Sequence, residues 1–213
     1  LHQLKGDLKR VLQSLPFWQM ALPVCLLFGV YLSFLSISAV FFVVELGIKK
    51  SVYPFFQATV LGGWLTASLS SNWFLKKWGA DRTKKAGILL LSSGFILLQL
   101  SCWFAPRNPY SMTAFMVVVT FGYNWLQTPY FGEIMGLMPE IKGIVGSLLT
   151  SLRLLFTSIV VALTGHFYDQ SISSFALGAW GIALIITPMI WMRERTPHLS
   201  ETAIDPDVIR HES

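Results

Sequence analysis

Charged side chains are scarce in this chain of 213 residues: Asp, Glu, Lys and Arg together make up 13% of it, whereas hydrophobic residues make up 54%. A soluble domain carries roughly 25% charged residues. About half that share leaves too few polar side chains to cover a surface that faces water. The composition therefore excludes an ordinary soluble domain and indicates an integral membrane protein.

Cysteine is also rare, since only Cys25 and Cys102 are present, and both lie inside apolar stretches far apart in the sequence. Their spacing supports neither a disulfide framework nor a metal site. We expect both to be small buried hydrophobic residues, which is the usual environment of free cysteine. No metal or other cofactor is predicted.

Sequence motifs of enzymes are missing as well. The chain contains no H-E-x-x-H, no G-x-S-x-G and no G-x-x-x-x-G-K, which are patterns of metalloproteases, serine hydrolases and P-loop proteins. It also lacks the Asn-Pro-Ala loops of water channels. The net charge is +5, but the basic residues form no stripe on a soluble face. A nucleic-acid partner is therefore not expected. We therefore expect a membrane protein that is not an enzyme.

What the chain has in abundance is long apolar stretches. A helix needs about 20 mostly apolar residues to cross the hydrocarbon core of a bilayer, and six stretches satisfy this. They run over residues 17–44, 52–75, 86–104, 110–135, 144–167 and 172–192. The short connections make neighbouring helices antiparallel. The predicted fold is an all-α bundle of six transmembrane helices that spans residues 16–194.

The two ends of the chain differ from this bundle. In residues 1–15, Leu4, Leu8, Val11, Leu12 and Leu15 recur at helical spacing between charged residues, which predicts an amphipathic helix on the membrane surface. A soluble linker helix would show the same short stripe. Residues 195–213 are charged and contain prolines, so we expect a solvated tail. Because the chain begins with Leu1, we treat it as part of a longer protein.

Lysine and arginine residues fix the predicted orientation. With the N-terminus in the cytoplasm, eleven basic residues lie on the cytoplasmic side and three (Lys49, Lys50 and Arg107) lie outside. The eleven are Lys5, Lys9, Arg10, Lys76, Lys77, Arg82, Lys84, Lys85, Lys142, Arg193 and Arg195. By the positive-inside rule both termini are cytoplasmic. The predicted location is a cell membrane, the inner one in a bacterium.

Arg153 is the most informative residue. It lies about nine residues into the fifth span, roughly 13 Å deep at about 1.5 Å per residue. A charge at such depth costs at least about 2.5 kcal/mol and generally faces a polar cavity or a partner. We interpret Arg153 as lining a cavity; a structural ion pair or a shifted span would also explain it. Glu133 is its candidate partner, although it would equally cap a cytoplasmic gate or reach the membrane interface.

The centre of the fourth span is unusually polar and aromatic, with the sequence Tyr123-Asn124-Trp125-Leu126-Gln127-Thr128-Pro129-Tyr130. Amides and hydroxyls at these positions would bind a ligand or form interhelical hydrogen bonds. We interpret Tyr123, Asn124, Trp125 and Gln127 as lining a cavity, with Tyr31, Ser33 and Ser36 of the first span as weaker candidates. His166 and Asp169 would either form a proton-sensing pair or simply lie at the hydrated membrane interface.

Taken together, these features resemble the C-terminal half of a major facilitator superfamily transporter, spans seven to twelve, and especially the bicyclomycin-resistance-type drug:proton antiporters. Residues 1–15 resemble the end of the linker between the halves. Residues 75–82 resemble the basic loop between spans eight and nine, where Lys77 and Gly79 match the motif but Lys76 and Asn72 depart from it. Residues 139–143, with Ser147-Leu148, resemble the start of span eleven. Relatives have an uncharged polar residue at the place of Arg153.

The resemblance implies half of a secondary active transporter that moves a small organic solute by alternating access, as proton-coupled efflux. Its implied partners are the lipid bilayer, an N-terminal six-helix half, a small-molecule substrate and protons. The family's proton-carrying acids lie mostly in the other half, so this half alone should not transport. The competing interpretation is a self-contained six-span protein that acts as a homodimer or as a non-transporting accessory subunit.

Overall fold

The computed structural model describes residues 2–104, 107–168 and 172–195. Within these ranges the chain is all-helical and contains no strand, as predicted. Three helical stretches, Leu15–Glu45, Tyr53–Phe104 and Pro139–Phe167, are long and apolar enough to cross a membrane. A shorter apolar stretch covers Leu177–Ile190. The structure thus contains helices with the length and composition that crossing a membrane requires.

The helices follow the predicted stretches closely. They are α1 (His2–Leu12), α2 (Leu15–Val40), α3 (Tyr53–Phe104), α4 (Pro109–Gly136), α5 (Lys142–Phe167) and α6 (Ile172–Arg195). A π-helical turn, Phe41–Glu45, extends α2, and a 3-10 turn, Pro139–Ile141, precedes α5. The start of α2 shows how the sequence sets these bounds, since the Ser14 hydroxyl accepts a hydrogen bond from the Phe17 amide and Pro16 occupies the first turn. Both are common signals for a helix to begin.

Helix α3 differs from the sequence prediction at the basic segment between its two apolar stretches. The sequence predicts a loop there, yet the segment is helical except at Gly79, which has φ 79° and ψ 172°. Glycine adopts positive φ without the steric penalty that a side chain would bring. One residue therefore divides α3 into a first arm, residues 53–78, and a second arm, residues 80–104.

The first arm of α3 runs parallel to α4. Gly63 packs on Val117, and further along both helices the hydroxyls of Ser71 and Thr128 are 2.9 Å apart. Residue numbers thus rise together on the two helices. Small residues of this arm lie in the contact, because Ala67 and Ser71 are fully buried. Small side chains let helices approach closely in this way.

The second arm runs antiparallel to α4. Its start meets the end of α4, where Lys84 contacts Glu133, and its end meets the start of α4, where the hydroxyls of Ser101 and Ser111 are 2.8 Å apart. The two arms therefore point in opposite directions, and Gly79 is a chain reversal between two helices.

Helix α2 lies at the centre of the bundle and contacts α4, α5 and α6 as well as the first arm of α3. It runs antiparallel to α6, as shown by the contact of Phe34 with Phe175 near the end of one helix and the start of the other. Against α5, Gly29 packs directly on Val160. This central position explains why more than half of the residues in α2 are buried.

The outward surface of the helices is strongly apolar. Large aliphatic and aromatic side chains are exposed on every long helix, for example Leu69 and Leu89 on α3, Tyr110 on α4, Leu154 on α5 and Leu184 on α6. Monomeric soluble proteins rarely expose contiguous apolar patches of this kind. An exterior that is at least as apolar as the core matches helices that face lipid.

The closest helix approach predicts a test of the packing. A Cβ atom added at Gly122 would lie 2.3 Å from the Leu91 amide nitrogen, so Gly122→Ala must push α4 away from the second arm of α3. Overpacking of this kind costs about 1–3 kcal/mol. We expect a lower midpoint of thermal unfolding for the purified protein in detergent, measured by fluorescence-detected size-exclusion chromatography.

Gly132→Ala is the matched control for this substitution. Gly132 lies on the same helix, and a Cβ atom added there would meet no other atom within 4 Å. Alanine also favours a helix over glycine by about 0.5–1 kcal/mol. The control should therefore melt at the same temperature as the parent protein or slightly higher. Equal midpoints for the two variants would show that the α3–α4 contact is looser than described.

Candidate functional site

Four aromatic side chains from three helices form one cluster at the centre of the bundle, which we call the aromatic cluster: Phe28, Tyr31, Trp64 and Tyr123. Tyr31 stacks on Trp64 with ring centroids 4.5 Å apart, and Trp64 lies 5.2 Å from Tyr123. Phe28 completes the cluster at 6.2 Å from Tyr123. Ring pairs at these separations stabilise one another beyond their buried area, so the cluster holds α2, the first arm of α3 and α4 together.

Arg153 of α5 packs against this cluster. The centre of its guanidinium lies 4.7 Å from the centroid of the Phe28 ring, within the range of a cation–π interaction. The guanidinium also interacts electrostatically with Tyr123 and Cys25. The negative face of a ring partly compensates a cation but provides no hydrogen-bond acceptor, and Arg153 Nε has no acceptor among the described residues.

A small cavity, which we call the arginine pocket, lies between α2, α4 and α5. Its volume is about 40 Å³. It is lined by Val24, Gln127, Phe131, Ile134, Leu149, Thr150 and Arg153. Two polar atoms there, Arg153 Nε and Gln127 Oε1, are buried without a hydrogen-bond partner among the described residues. Buried polar atoms are usually satisfied, so a pocket with two unsatisfied ones is a candidate ligand site.

The predicted residues of α4 divide between two faces. Tyr123 and Gln127, four residues apart, lie in the aromatic cluster and in the lining of the arginine pocket respectively. Trp125 lies on a different face, where its indole N–H donates a 3.0 Å hydrogen bond to the Ser70 hydroxyl. Asn124 is buried, and its side-chain amide donates to the Thr120 carbonyl of its own helix. Trp125 and Asn124 thus make helix contacts and do not line this pocket.

Glu133 forms an ion pair that the sequence did not suggest. Its carboxylate accepts a 2.9 Å hydrogen bond from Lys84 Nζ, which also lies 3.2 Å from Asp81. Lys84 is only 1% exposed, although the sequence places it among the solvated cytoplasmic charges. The described ion pair of Glu133 therefore joins α4 to the second arm of α3, and Arg153 has no carboxylate within salt-bridge distance among the described residues.

Three residues of the site were missed in the sequence. Phe28 and Trp64 lie in apolar stretches where nothing distinguishes them from lipid-facing residues, and Lys84 lies in a basic segment. Of the other candidates, Tyr31 is in the aromatic cluster. His166 is exposed at the end of α5, and its predicted partner Asp169 lies outside the described residues, so their pairing stays a prediction.

Two wider crevices flank α6. One, of about 330 Å³, lies against the second arm of α3, and the other, of about 400 Å³, lies against α5. Both are lined almost entirely by aliphatic and aromatic residues. A ligand site combines apolar walls with a few convergent polar groups. The crevice beside α3 includes Lys85, Ser92 and Trp180 among its lining residues, whereas the small arginine pocket combines its apolar walls with a guanidinium and two buried polar atoms that have no described partner.

The Lys84 ion pair yields a second prediction. Lys84→Gln leaves the Glu133 carboxylate, whose side chain is 20% exposed, without its cation. Removing one partner from a buried pair costs on the order of 3 kcal/mol, so the midpoint of thermal unfolding in detergent should fall. Lys85→Gln, at an exposed neighbouring lysine, is the control and should shift the midpoint little.

The double substitution Lys84→Met with Glu133→Leu removes both charges at once. Apolar residues of similar volume often replace a buried ion pair without loss, so the double variant should be more stable than Lys84→Gln. A Lys84→Gln variant as stable as Lys85→Gln would contradict the described ion pair.

Comparison with known proteins adds nothing to this site: no protein-family model matches the chain, and no curated protein matches it. The function of the arginine pocket therefore has to follow from its own residues.

Proposed function

We propose that this chain is a six-span half of a secondary active transporter, which moves a small organic solute across the membrane by alternating access in exchange for protons. One observation supports the proposal above all others: Arg153 projects from a helix long and apolar enough to cross a membrane into a pocket where its Nε has no described partner. An ionisable residue within a membrane helix marks a substrate or ion pathway by default.

The course of the helices supports six spans. The chain reverses at Gly79, and α2, the two arms of α3, α4, α5 and α6 give six helical segments. Aromatic residues are exposed at both ends of the bundle, Trp73 and Trp78 near the reversal and Trp103 and Tyr110 near the opposite end. Tyrosine and tryptophan are enriched at both membrane–water interfaces, so these residues would mark the two bilayer surfaces.

The arginine pocket supports a role in transport for a further reason. Its residues come from α2, α4 and α5, so any rocking or sliding of these helices would change the surroundings of the guanidinium. Sites in transporters of this kind lie near the middle of the membrane, at the interface between two structural repeats. Since the pocket holds only a small volume in this chain, the facing six-helix half would supply the rest of the substrate cavity.

The six-span arrangement is tested by side-specific labelling. Lys50 and Lys77 are both exposed and lie at opposite ends of the first arm of α3. In spheroplasts, Lys50→Cys should react with a membrane-impermeant maleimide, whereas Lys77→Cys should react only after the membrane is opened. The two cysteines of this chain are buried, and the parent protein without an added cysteine, labelled in parallel, gives the background. Labelling of both variants from outside would contradict the proposed topology.

Transport is tested with the native gene in everted membrane vesicles energised to an acidic interior. We expect accumulation of at least one of labelled chloramphenicol, ethidium and 2-naphthoate above that of vesicles without the gene, abolished by a protonophore. Arg153→Gln should reduce the rate about tenfold or more, because hydrogen bonds to charged groups contribute about 1.5–3 kcal/mol.

Arg107→Gln is the control for this experiment, because Arg107 is exposed in the connection before α4. It should leave the rate within twofold of the parent protein. Equal rates for Arg153→Gln and the parent would refute the role of the pocket. A stable homodimer that accumulates none of the three compounds would favour the accessory-subunit interpretation.

A further inference from the structure

We infer that the arginine pocket binds the carboxylate of a small aromatic monocarboxylate, and that this anion is the class of substrate. The inference rests on the proposed transport function and names the chemistry that the pocket selects. It is carried by the charges, the size and the aromatic surroundings of the pocket.

The charge of the pocket selects an anion. Arg153 is the only charged residue among those that line it, and no described carboxylate lies within 4.0 Å of its guanidinium. Glu133 of α4 and Asp81 of α3 pair with Lys84. The compensating negative charge must therefore come from outside the described residues, either from a bound ligand or from another part of the full protein.

The size of the pocket selects the group that enters it. One water molecule needs about 10–15 Å³ of cavity volume. A pocket of about 40 Å³ therefore accommodates roughly three heavy atoms. A carboxylate has three, and its two oxygens match the N–H fork of a guanidinium. One guanidinium without a second cation in the lining favours a single negative charge over a phosphate or a dicarboxylate.

The lining also offers a second donor. Gln127 Oε1 is buried without a partner, and half a turn of the amide would direct its NH₂ group into the pocket instead. The two orientations of an amide occupy the same space and are selected by their hydrogen-bond partners, so an anion would select the donating one. Gln127 and Arg153, from α4 and α5, would then bind opposite sides of the same carboxylate.

The body of the ligand would lie outside the small pocket, where the surroundings are aromatic. Phe131 lines the pocket and is 48% exposed, so its ring is available to a ligand at the mouth. On the other side, the guanidinium packs against Phe28, which belongs to the aromatic cluster. An aromatic ring next to the carboxylate stacks on such a surface in offset or edge-to-face geometry.

The test compares two probes of nearly the same shape, 2-naphthoate, which is an anion, and 2-naphthamide, which is neutral and carries an NH₂ group in place of one carboxylate oxygen. Binding to the purified product of the native gene in detergent is measured by isothermal titration calorimetry. The naphthoate should bind about 10- to 100-fold more tightly, which is the range for charge-assisted hydrogen bonds. Equal affinities, or tighter binding of the amide, would overturn the inference.

Variants assign the preference to Arg153. Arg153→Gln should bind both probes alike, and the exposed control Arg107→Gln should keep the full preference. If Arg153→Gln does not fold, Arg153→Lys is the second variant. It keeps the positive charge but loses the two parallel N–H donors of the guanidinium, so it should retain a smaller preference for the naphthoate. An undiminished preference in Arg153→Lys and Arg153→Gln would place the anion site elsewhere and overturn the inference.

The outcomes separate this inference from the proposed function. Proton-driven transport of chloramphenicol or ethidium without preferential naphthoate binding would refute the carboxylate site alone, and would indicate that a carboxylate of the facing half neutralises Arg153. Preferential naphthoate binding that depends on Arg153, in a protein that transports none of the compounds, would refute the transporter and keep the site.

Discussion

The guanidinium of Arg153 is the group on which the interpretation of the whole molecule depends. It projects from α5 towards Phe28 and Tyr123, in a bundle whose exterior is largely apolar. A cation in such surroundings is costly, and a contact with an aromatic face recovers only about 0.5–2 kcal/mol. A chain that keeps this charge without a described carboxylate beside it therefore bears a cost that packing alone does not offset.

Helix α4 organises the residues around that charge, because its faces have different tasks. Gly122 lets the second arm of α3 approach within van der Waals distance, and Trp125 binds the first arm through Ser70. Tyr123 and Gln127 remain for the aromatic cluster and the arginine pocket. The Gly122 and Trp125 faces of α4 both pack on α3, and these contacts fix the direction in which the Tyr123 and Gln127 face points. The pocket is therefore positioned by helix packing rather than by loops.

The sequence predicted the helices well but only part of the site, for physical reasons. Apolar length marks a membrane helix regardless of its neighbours, which is why all six apolar stretches proved helical. Arg153, Tyr123 and Gln127 were identifiable because polar groups are exceptional in such helices. Phe28 and Trp64 were not, since an aromatic residue looks the same in sequence whether it meets lipid or a guanidinium. The reversal at Gly79 was also shorter than predicted, because helix propensity in the basic segment continues up to a single glycine.

The two inward-facing cations of the bundle, Lys84 and Arg153, differ in a way that separates structure from function. Lys84 is buried between Glu133 and Asp81 and contacts the Tyr130 ring, so its charge is compensated within the chain. Such an arrangement is complete and ties two helices together. Arg153 has equally close apolar neighbours but no described carboxylate, and its pocket retains space beside it. If Arg153 had a purely structural role, a partner such as that of Lys84 would be expected on α2 or α4, the two helices that line the pocket with it. Their pocket-lining residues, Val24, Gln127, Phe131 and Ile134, carry no negative charge, and this is why an anion from outside the described residues is the simplest complement.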